Sequence, residues 1–223
     1  MNGLIKICGI TDAMGMDAAL HHGADMIGFV FREGSLRNIR LDTAAQLAQK
    51  TRGRAQLAAV VVNPDDAFLE KLVETVNPDI FQLHGSETPH RVADISVRFG
   101  KKIIKALGLS KREDVDTLTP YKKLCAHILV EACNSEGLPC GGQGRIFDWK
   151  LLADLPMKEN LFLAGGLNAD NIAEAITTTH VGGVDVSSGV EAAPGIKDEQ
   201  KIAAFVAAAR AAYAKQSFQR VSA

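Results

Sequence analysis

The chain has 223 residues, of which 47% are hydrophobic and 23% are charged. This is the usage of ordinary globular domains, so it excludes a disordered protein, a collagen-like fibre and a small scaffold held by disulfides. The 25 Lys and Arg residues nearly balance the 26 Asp and Glu residues, for a net charge of -1. That balance excludes the broadly basic surface typical of nucleic-acid-binding proteins. We expect one domain over residues 1–223, in which any anionic ligand is held by a local site.

The N-terminal residues Met1–Gly9 predict a cytoplasmic protein, because a lysine interrupts the short apolar stretch and no small-residue cleavage site follows it. The longest uninterrupted apolar run, Leu57–Val62, is too short to cross a bilayer, so we expect no membrane partner. The four cysteines are then expected to be reduced thiols. Cys125 and Cys133 would lie at opposite ends of one predicted strand, about 20 Å apart, so they cannot share a metal ion.

Short apolar runs rich in β-branched residues recur eight times, at the spacing of consecutive strand–helix units. Most of the runs are apolar on both faces, as expected for parallel strands that are covered by helices. The predicted strands are Leu4–Ile7, Met26–Phe31, Gln56–Val62, Ile80–Leu83, Lys102–Leu107, Ala126–Glu131, Leu161–Ala164 and Gly183–Val186.

The segments between the predicted strands contain helix signals. Asn63-Pro64 and Thr88-Pro89 each place a capping residue before a proline at the first helical position, and Ser110 with Glu113 has the spacing of a capping box. Near the end of the chain, apolar residues at helical spacing predict a long helix with one buried face: Ile202, Phe205, Val206, Ala209, Ala212 and Tyr213.

Eight strands, each followed by a helical segment, predict a closed (β/α)₈ barrel, and a doubly wound open sheet is the alternative. The glycines favour the barrel. A Rossmann sheet needs Gly-x-Gly-x-x-Gly after its first strand, whereas Cys8-Gly9-Ile10-Thr11 follows it here. Glycine-rich turns instead follow strands seven and eight, as Gly165-Gly166 and Ser187-Ser188-Gly189. Barrels of this type bind phosphate at that place, so we predict a phosphate site there, the alternative being ordinary tight turns.

Several stretches together resemble phosphoribosylanthranilate isomerase of tryptophan biosynthesis, in the order of that family and from residue 4 to about residue 205. The stretches are Lys6–Thr11, Gly28–Phe31 with Ser35–Arg37, Gln82–Glu87, Gly141–Gly144 with Phe147–Trp149, Leu163–Leu167, and Val184–Glu191 followed by Pro194–Asp198. The cysteine and glycine after strand one and the final Asp-Val-Ser-Ser-Gly-Val-Glu are specific to this family among phosphate-binding barrels.

The resemblance implies an Amadori rearrangement, which opens the ribose ring of the substrate and yields an aminodeoxyribulose phosphate without a cofactor or a metal. This chemistry needs a general acid and a general base. Cys8 matches the family's base, and strand alternation places Lys6 on the same face, where an ammonium would favour the thiolate. The alternative for Cys8 is a buried core cysteine.

The family's general acid is an aspartate at the end of strand six, where this chain has Glu131. Because a glutamate is longer by one methylene, activity requires a pocket that has adjusted to it. Asp185 and Glu136 are other candidate acids. Without that adjustment, the chain would be a phosphate-ligand binding barrel that has lost catalysis, and a related sugar-phosphate isomerase of shifted specificity is a further alternative.

The resemblance also assigns the residues that bind substrate. Arg37 matches the arginine that pairs with the anthranilate carboxylate, with Arg32 and Arg40 as competitors and a solvated loop arginine as the alternative. His84 is expected at the same end of the barrel as Cys8, where it either supports other groups by hydrogen bonding or takes part directly in the chemistry. The residues matched to the phosphate are Gly166, Ser187, Ser188 and Gly189. The long Ala132–Arg145 connection is interpreted as a lid, and the oligomeric state is expected to be a monomer or a homodimer.

Overall fold

The computed structural model describes residues 3–133, 148–152, 155 and 158–221, the last five without their side chains. Within these residues the chain forms a closed barrel of eight parallel strands in sequence order. The strands are β1 (Leu4–Cys8), β2 (Met26–Phe31), β3 (Gln56–Val61), β4 (Ile80–Leu83), β5 (Lys102–Leu109), β6 (His127–Ala132), β7 (Leu161–Leu163) and β8 (Gly183–Val186). The predicted barrel is confirmed. The open sheet is wrong, because β8 pairs with β1 from Leu4↔Gly183 to Ile7↔Val186.

Helices cover the outside of the barrel. They are α1 (Ala13–His21), α2 (Leu41–Thr51), α3 (Asp66–Thr75), α4 (Pro89–Phe99), α5 (Ile172–Thr179) and α6 (Glu199–Val221). In the described residues, the segments after β5 and β6 are instead 3₁₀-helical, at Arg112–Tyr121 and Trp149–Leu152. Pro120 lies inside the first of these and removes a backbone donor, which disfavours a regular α-helix.

One of the two predicted proline caps is confirmed. The Thr88 hydroxyl accepts a hydrogen bond from the backbone N–H of Arg91, and Pro89 is the first residue of α4. The Asn63 cap is wrong: α3 begins two residues after Pro64, and its cap is Asp65. Asn63 has φ 46, and its side-chain oxygen accepts from the backbone N–H of Ser86 in a neighbouring loop.

The capping box predicted for Ser110 uses a different partner. The Ser110 hydroxyl and backbone N–H both donate to Asp114 Oδ2, at 2.8 and 2.7 Å, so the contact is made one residue beyond Glu113. The segment that it starts is the 3₁₀-helix after β5. The prediction therefore located the start of a helical segment to within one residue, but the cap is Lys111 and the carboxylate belongs to Asp114.

The core has two layers. Inside the barrel, a cluster of buried side chains fills the space below the carboxyl ends of the strands: Met26, Ala58, Ile80, Ile104, Ala106, Leu129, Phe162 and Ala164. A larger cluster lies between the strands and the helices. The apolar positions predicted for the last helix are all buried there, each at most 4% exposed. No helix in the described part of the chain is both long and apolar enough to cross a membrane.

Candidate active site

A cleft opens at the carboxyl ends of the barrel strands, because the apolar cluster fills the barrel below it. Seven of the eight predicted site residues line this cleft: Cys8, Arg37, His84, Glu131, Gly166, Ser187 and Ser188. Gly189 does not line it. That glycine packs against the loop after β7, where an added Cβ would come within 1.9 Å of the Leu167 carbonyl oxygen.

Cys8 ends β1 and is 6% exposed. Lys6, two residues earlier, donates from Nζ to Asp185 Oδ1 on β8 at 2.8 Å. Burial disfavours the charged form of Lys6, but Asp185 outweighs it and the pKa of Lys6 is raised above its ordinary value. The structure thus brings a buried ion pair to the floor of the cleft beside the thiol.

The predicted effect of Lys6 on the thiol is only partly correct. Burial raises the pKa of Cys8 and Asp185 raises it further, while Lys6 and Lys197 lower it. The net pKa of Cys8 lies above the ordinary thiol value. Lys6 therefore favours the thiolate, as expected, but its effect is smaller than the effect of burial on the pKa of Cys8. The alternative interpretation of Cys8, a buried cysteine, is thus correct about its burial.

Glu131 is the penultimate residue of β6 and is in direct contact with His84. Their closest atoms, Glu131 Oε1 and His84 Nε2, are 2.7 Å apart, and His84 Nδ1 lies 3.1 Å from Gln82 Nε2. Glu131 is 4% exposed and Gln82 is 1% exposed. The imidazole is thus held between an amide and a carboxylate, so it orients Glu131 at the cleft and is itself oriented from below.

A second buried pair supports the turn that contains His84. Lys105 Nζ donates to Glu87 Oε2 at 3.0 Å and to the carbonyl oxygens of Leu83 and Gly85, at 3.2 and 2.7 Å. Glu87 in turn accepts from the backbone N–H of Gly85. These contacts fix the backbone on both sides of His84.

Arg37 lies at the mouth of the cleft with its guanidinium already paired. Its Nε and Nη2 donate to the two carboxylate oxygens of Glu191, at 2.7 and 2.8 Å. Hydrogen bonding to Glu191 raises the pKa of Arg37, so the group stays charged. Of its competitors, Arg32 also lines the cleft, whereas Arg40 is a solvated arginine that pairs with Asp42.

The turns after β7 and β8 form part of the lining of the cleft. Gly165 and Gly166 have φ 87 and φ 66, in the left-handed region that favours glycine, and both line the cleft. The Asn171 amide donates to Gly166 O at 2.9 Å, and Lys197 Nζ donates to Ser187 O at 3.0 Å. The two turns are tight, as the alternative interpretation held, and they also form a concave wall of backbone and hydroxyl groups.

Sequence reasoning missed three charged residues of this site. Asp185 was named only as a substitute acid, and its side chain is instead bonded to Lys6. Glu191 and Lys197 fall within the family-like stretches, but no local signal links them to Arg37, which is 154 residues before Glu191. Among the residues that the structure describes, no cluster of His, Cys, Asp or Glu is arranged to hold a metal ion.

Some predicted features lie outside the described residues. Of the Ala132–Arg145 loop, the structure describes only the first two residues. Glu136, Gly141–Gly144 and Phe147 lie outside the described residues.

Known proteins of one family are similar to this chain over most of its length. The family model for N-(5'-phosphoribosyl)anthranilate (PRA) isomerase matches residues 5–208. A relative from Rhodopseudomonas palustris (strain BisA53) named N-(5'-phosphoribosyl)anthranilate isomerase is 48% identical over 208 residues, which cover 93% of this chain and 95% of the relative. Another, from Bradyrhizobium sp. (strain ORS 278), bears the same name and is 45% identical over 213 residues, covering 95% of this chain and 97% of the relative.

Solved structures give the same result. The phosphoribosyl anthranilate isomerase of Thermotoga maritima superposes with a TM-score of 0.84 at 33% identity, covering 94% of this chain and 99% of that one. A structure of such an isomerase in complex with reduced 1-(o-carboxyphenylamino)-1-deoxyribulose 5-phosphate has a TM-score of 0.81 at 32% identity, with the same coverage. The chain belongs to the N-(5'-phosphoribosyl)anthranilate isomerase family.

Proposed function

We propose that the protein converts N-(5'-phosphoribosyl)anthranilate to 1-(2-carboxyphenylamino)-1-deoxyribulose 5-phosphate, with Glu131 as general acid and Cys8 as general base. One observation supports these roles above the others. The strands run β6–β7–β8–β1 around the barrel, so Glu131 and Cys8 flank the two strands whose turns would bind the phosphate. A substrate anchored there by its phosphate has its ribose between the two groups.

The two ends of the substrate are anionic, and the cleft offers a separate site for each. The phosphate is assigned to the turns of Gly166, Ser187, Ser188 and Gly189, where backbone N–H groups and hydroxyls can donate. Gly189 takes part through its backbone, since it packs behind the wall rather than lining it. The anthranilate carboxylate is assigned to Arg37, whose planar donor fork suits a carboxylate.

In the first step, Glu131 donates its proton to the ribose ring oxygen. The bond between that oxygen and C1 breaks, the anthranilate nitrogen shares its electron pair with C1, and an open-chain iminium forms. The 2.7 Å contact from His84 Nε2 to Glu131 Oε1 holds the carboxyl group in one orientation. This contact is the adjustment that accommodates the longer glutamate, because it fixes the position of the proton-donating oxygen.

In the second step, the Cys8 thiolate removes the proton from C2, and the electron pair moves to form an enamine. C1 then takes up a proton while the C2 hydroxyl loses one, which gives the ketone. No net proton or electron is gained, so the reaction is an isomerisation. Lys6 and Lys197 favour the thiolate against burial, and substrate binding excludes the water that would otherwise compete for it.

The test is the disappearance of the fluorescence of phosphoribosylanthranilate made in situ, followed with purified protein. The proposed function predicts turnover, most of which is lost in Cys8→Ala. Tight binding of the reduced product analogue without turnover would instead identify a binding barrel, and turnover only of aminoribosyl phosphates lacking the carboxylate would identify an isomerase of shifted specificity. Cytoplasmic location and a monomeric or homodimeric state stay predictions, and light scattering tests the second.

A further inference from the structure

We propose that Glu191 and Lys197 are positioning residues that fix the guanidinium of Arg37 for a carboxylate on the ligand and so set the preference for a carboxylated aglycone. The proposal rests on the function proposed above. It adds two residues for which neither the sequence nor the family resemblance implied a role.

The geometry of the Arg37–Glu191 pair leaves one edge of the guanidinium open. A guanidinium has two edges that can each bind a carboxylate through two parallel hydrogen bonds. Glu191 occupies the Nε–Nη2 edge, at 2.7 and 2.8 Å. The Nη1–Nη2 edge remains for a second carboxylate, and Arg37 lines the cleft.

Lys197 keeps Glu191 in place and prevents it from cancelling the positive charge of the site. Its Nζ lies 2.9 Å from Glu191 Oε1, and its side chain is only 2% exposed. Arg37 and Lys197 together carry two positive charges and Glu191 carries one negative charge. These three side chains therefore retain a net charge of one positive unit for an incoming anion. The same Nζ donates to Ser187 O, which joins the carboxylate anchor to the predicted phosphate turn.

The backbone that contains Glu191 and Lys197 is also held on both sides. These residues belong to a hairpin of β9 (Glu191–Ala193) and β10 (Ile196–Lys197) that follows β8. The Thr11 hydroxyl donates to the carbonyl oxygen of Gly195 at 2.9 Å, and Lys201 Nζ donates to Glu191 O at 2.8 Å. The hairpin therefore holds Glu191 in a fixed position, from which it can orient the side chain of Arg37 in the loop after β2.

A guanidinium that Glu191 already holds in place loses less conformational freedom on ligand binding than an unpaired one. An unpaired arginine samples many rotamers, and ordering it on binding costs conformational free energy. Glu191 restricts these rotamers before the ligand arrives. The expected consequence is a preference for carboxylated ligands that depends on Glu191 as well as on Arg37.

The experiment compares two ligands by calorimetry: reduced 1-(o-carboxyphenylamino)-1-deoxyribulose 5-phosphate and the reduced phenylamino compound without the carboxylate. For the wild type we expect the carboxylated ligand to bind more tightly. In Glu191→Gln, which keeps the shape but loses the charge and one acceptor, this preference should fall about tenfold, while the second ligand binds as before. KM should rise by a similar factor, with kcat changed less than threefold.

The matched control is Asp42→Asn, which breaks the exposed Arg40–Asp42 pair near the start of α2 and should leave the preference unchanged. Glu191→Asp provides a second variant if Glu191→Gln does not fold: it keeps the charge but is too short to hold both Arg37 donors, so an intermediate preference is expected.

The outcomes separate the inference from the proposed function. A full preference in both Glu191 variants, together with its loss in Arg37→Ala, would overturn the positioning role and leave the function intact. A wild type that does not prefer the carboxylated ligand, or does not turn over the substrate, would instead contradict the proposed function. Equal weakening of both ligands in Glu191→Gln would show general damage to the cleft and would also overturn the positioning role.

Discussion

Gly28 tests whether the position of the Cys8 thiol limits the reaction. The two residues are paired on neighbouring strands, and a Cβ added at Gly28 would lie 2.7 Å from Cys8 Sγ and 3.1 Å from Lys6 Nζ. Since comfortable contacts between such atoms are about 3.5–4.0 Å, Gly28→Ala must push the thiol by about 1 Å. A misplacement of that size costs about a hundredfold in rate, which corresponds to about 2.7 kcal/mol in the barrier.

We therefore expect kcat of Gly28→Ala to fall about a hundredfold in the fluorescence assay, while KM changes little because the phosphate turns and Arg37 are untouched. Overpacking should also lower the free energy of unfolding, by about 1–3 kcal/mol. Gly53→Ala is the control: its φ of 72 makes it costly for stability, but an added Cβ there meets nothing within 4 Å, so kcat should be unchanged. A Gly28→Ala variant with near-wild-type kcat would refute the assignment of Cys8 as a closely positioned base.

The remaining predictions concern substitutions at other residues of the same cleft. Cys8→Ala should lose most of kcat but bind the reduced product analogue almost normally, as isothermal calorimetry would show, because a base acts chiefly in the transition state. Glu131→Gln should be nearly inactive, and Glu131→Asp should lose activity because the shorter side chain leaves His84; a gain in Glu131→Asp would show that the pocket has not adjusted. Arg37→Ala should weaken substrate binding far more than inhibition by inorganic phosphate, and equal losses would show that the two anion sites are not separate.

One prediction of this group concerns pH and stability. Burial opposes ionisation of Glu191, but hydrogen bonds from Arg37 and Lys197 outweigh it and hold the pKa of Glu191 below 4.5. The contribution of the ionised carboxylate is thus fully present above pH 4.5 and is lost as the pH falls through the lower, folded-state pKa. Urea unfolding between pH 3 and pH 7 should show wild type and Glu191→Gln converging at the acidic end, and a constant difference would contradict this.

The fold could be predicted closely because a parallel barrel marks its strands with continuous apolar runs. Each strand has one face in the barrel interior and one against the helices, so both faces select apolar residues. The Asn63 cap failed because a local pattern cannot show that the side chain is used elsewhere, by the backbone N–H of Ser86. The 3₁₀ segment after β5 was missed because the Ser110 capping signal does not distinguish it from an α-helix.

The candidate site could be predicted only in part. Residues at strand ends were found because the barrel brings every strand end to one rim, which is why Cys8, His84 and Glu131 converge. The sequence could not show which charged side chains pair with one another across this rim. Lys6 was expected to act on Cys8 alone, but its partner Asp185 is 179 residues away, and the pairing of Arg37 with Glu191 likewise depends on loops of two different strands.

The ion pair across the β1–β8 seam has a consequence for synthesis of the protein. Lys6 lies on the first strand of the barrel, and it is fully buried in the finished fold. Its counter-charge on β8 is made 179 residues later, and an uncompensated ammonium in an apolar interior costs several kcal/mol. The first strand of a nascent chain therefore cannot dock stably with Lys6 inward until the last strand emerges. The pocket around Cys8 is completed only after β8 has been made, so ribosome-bound chains that stop before β8 should lack it.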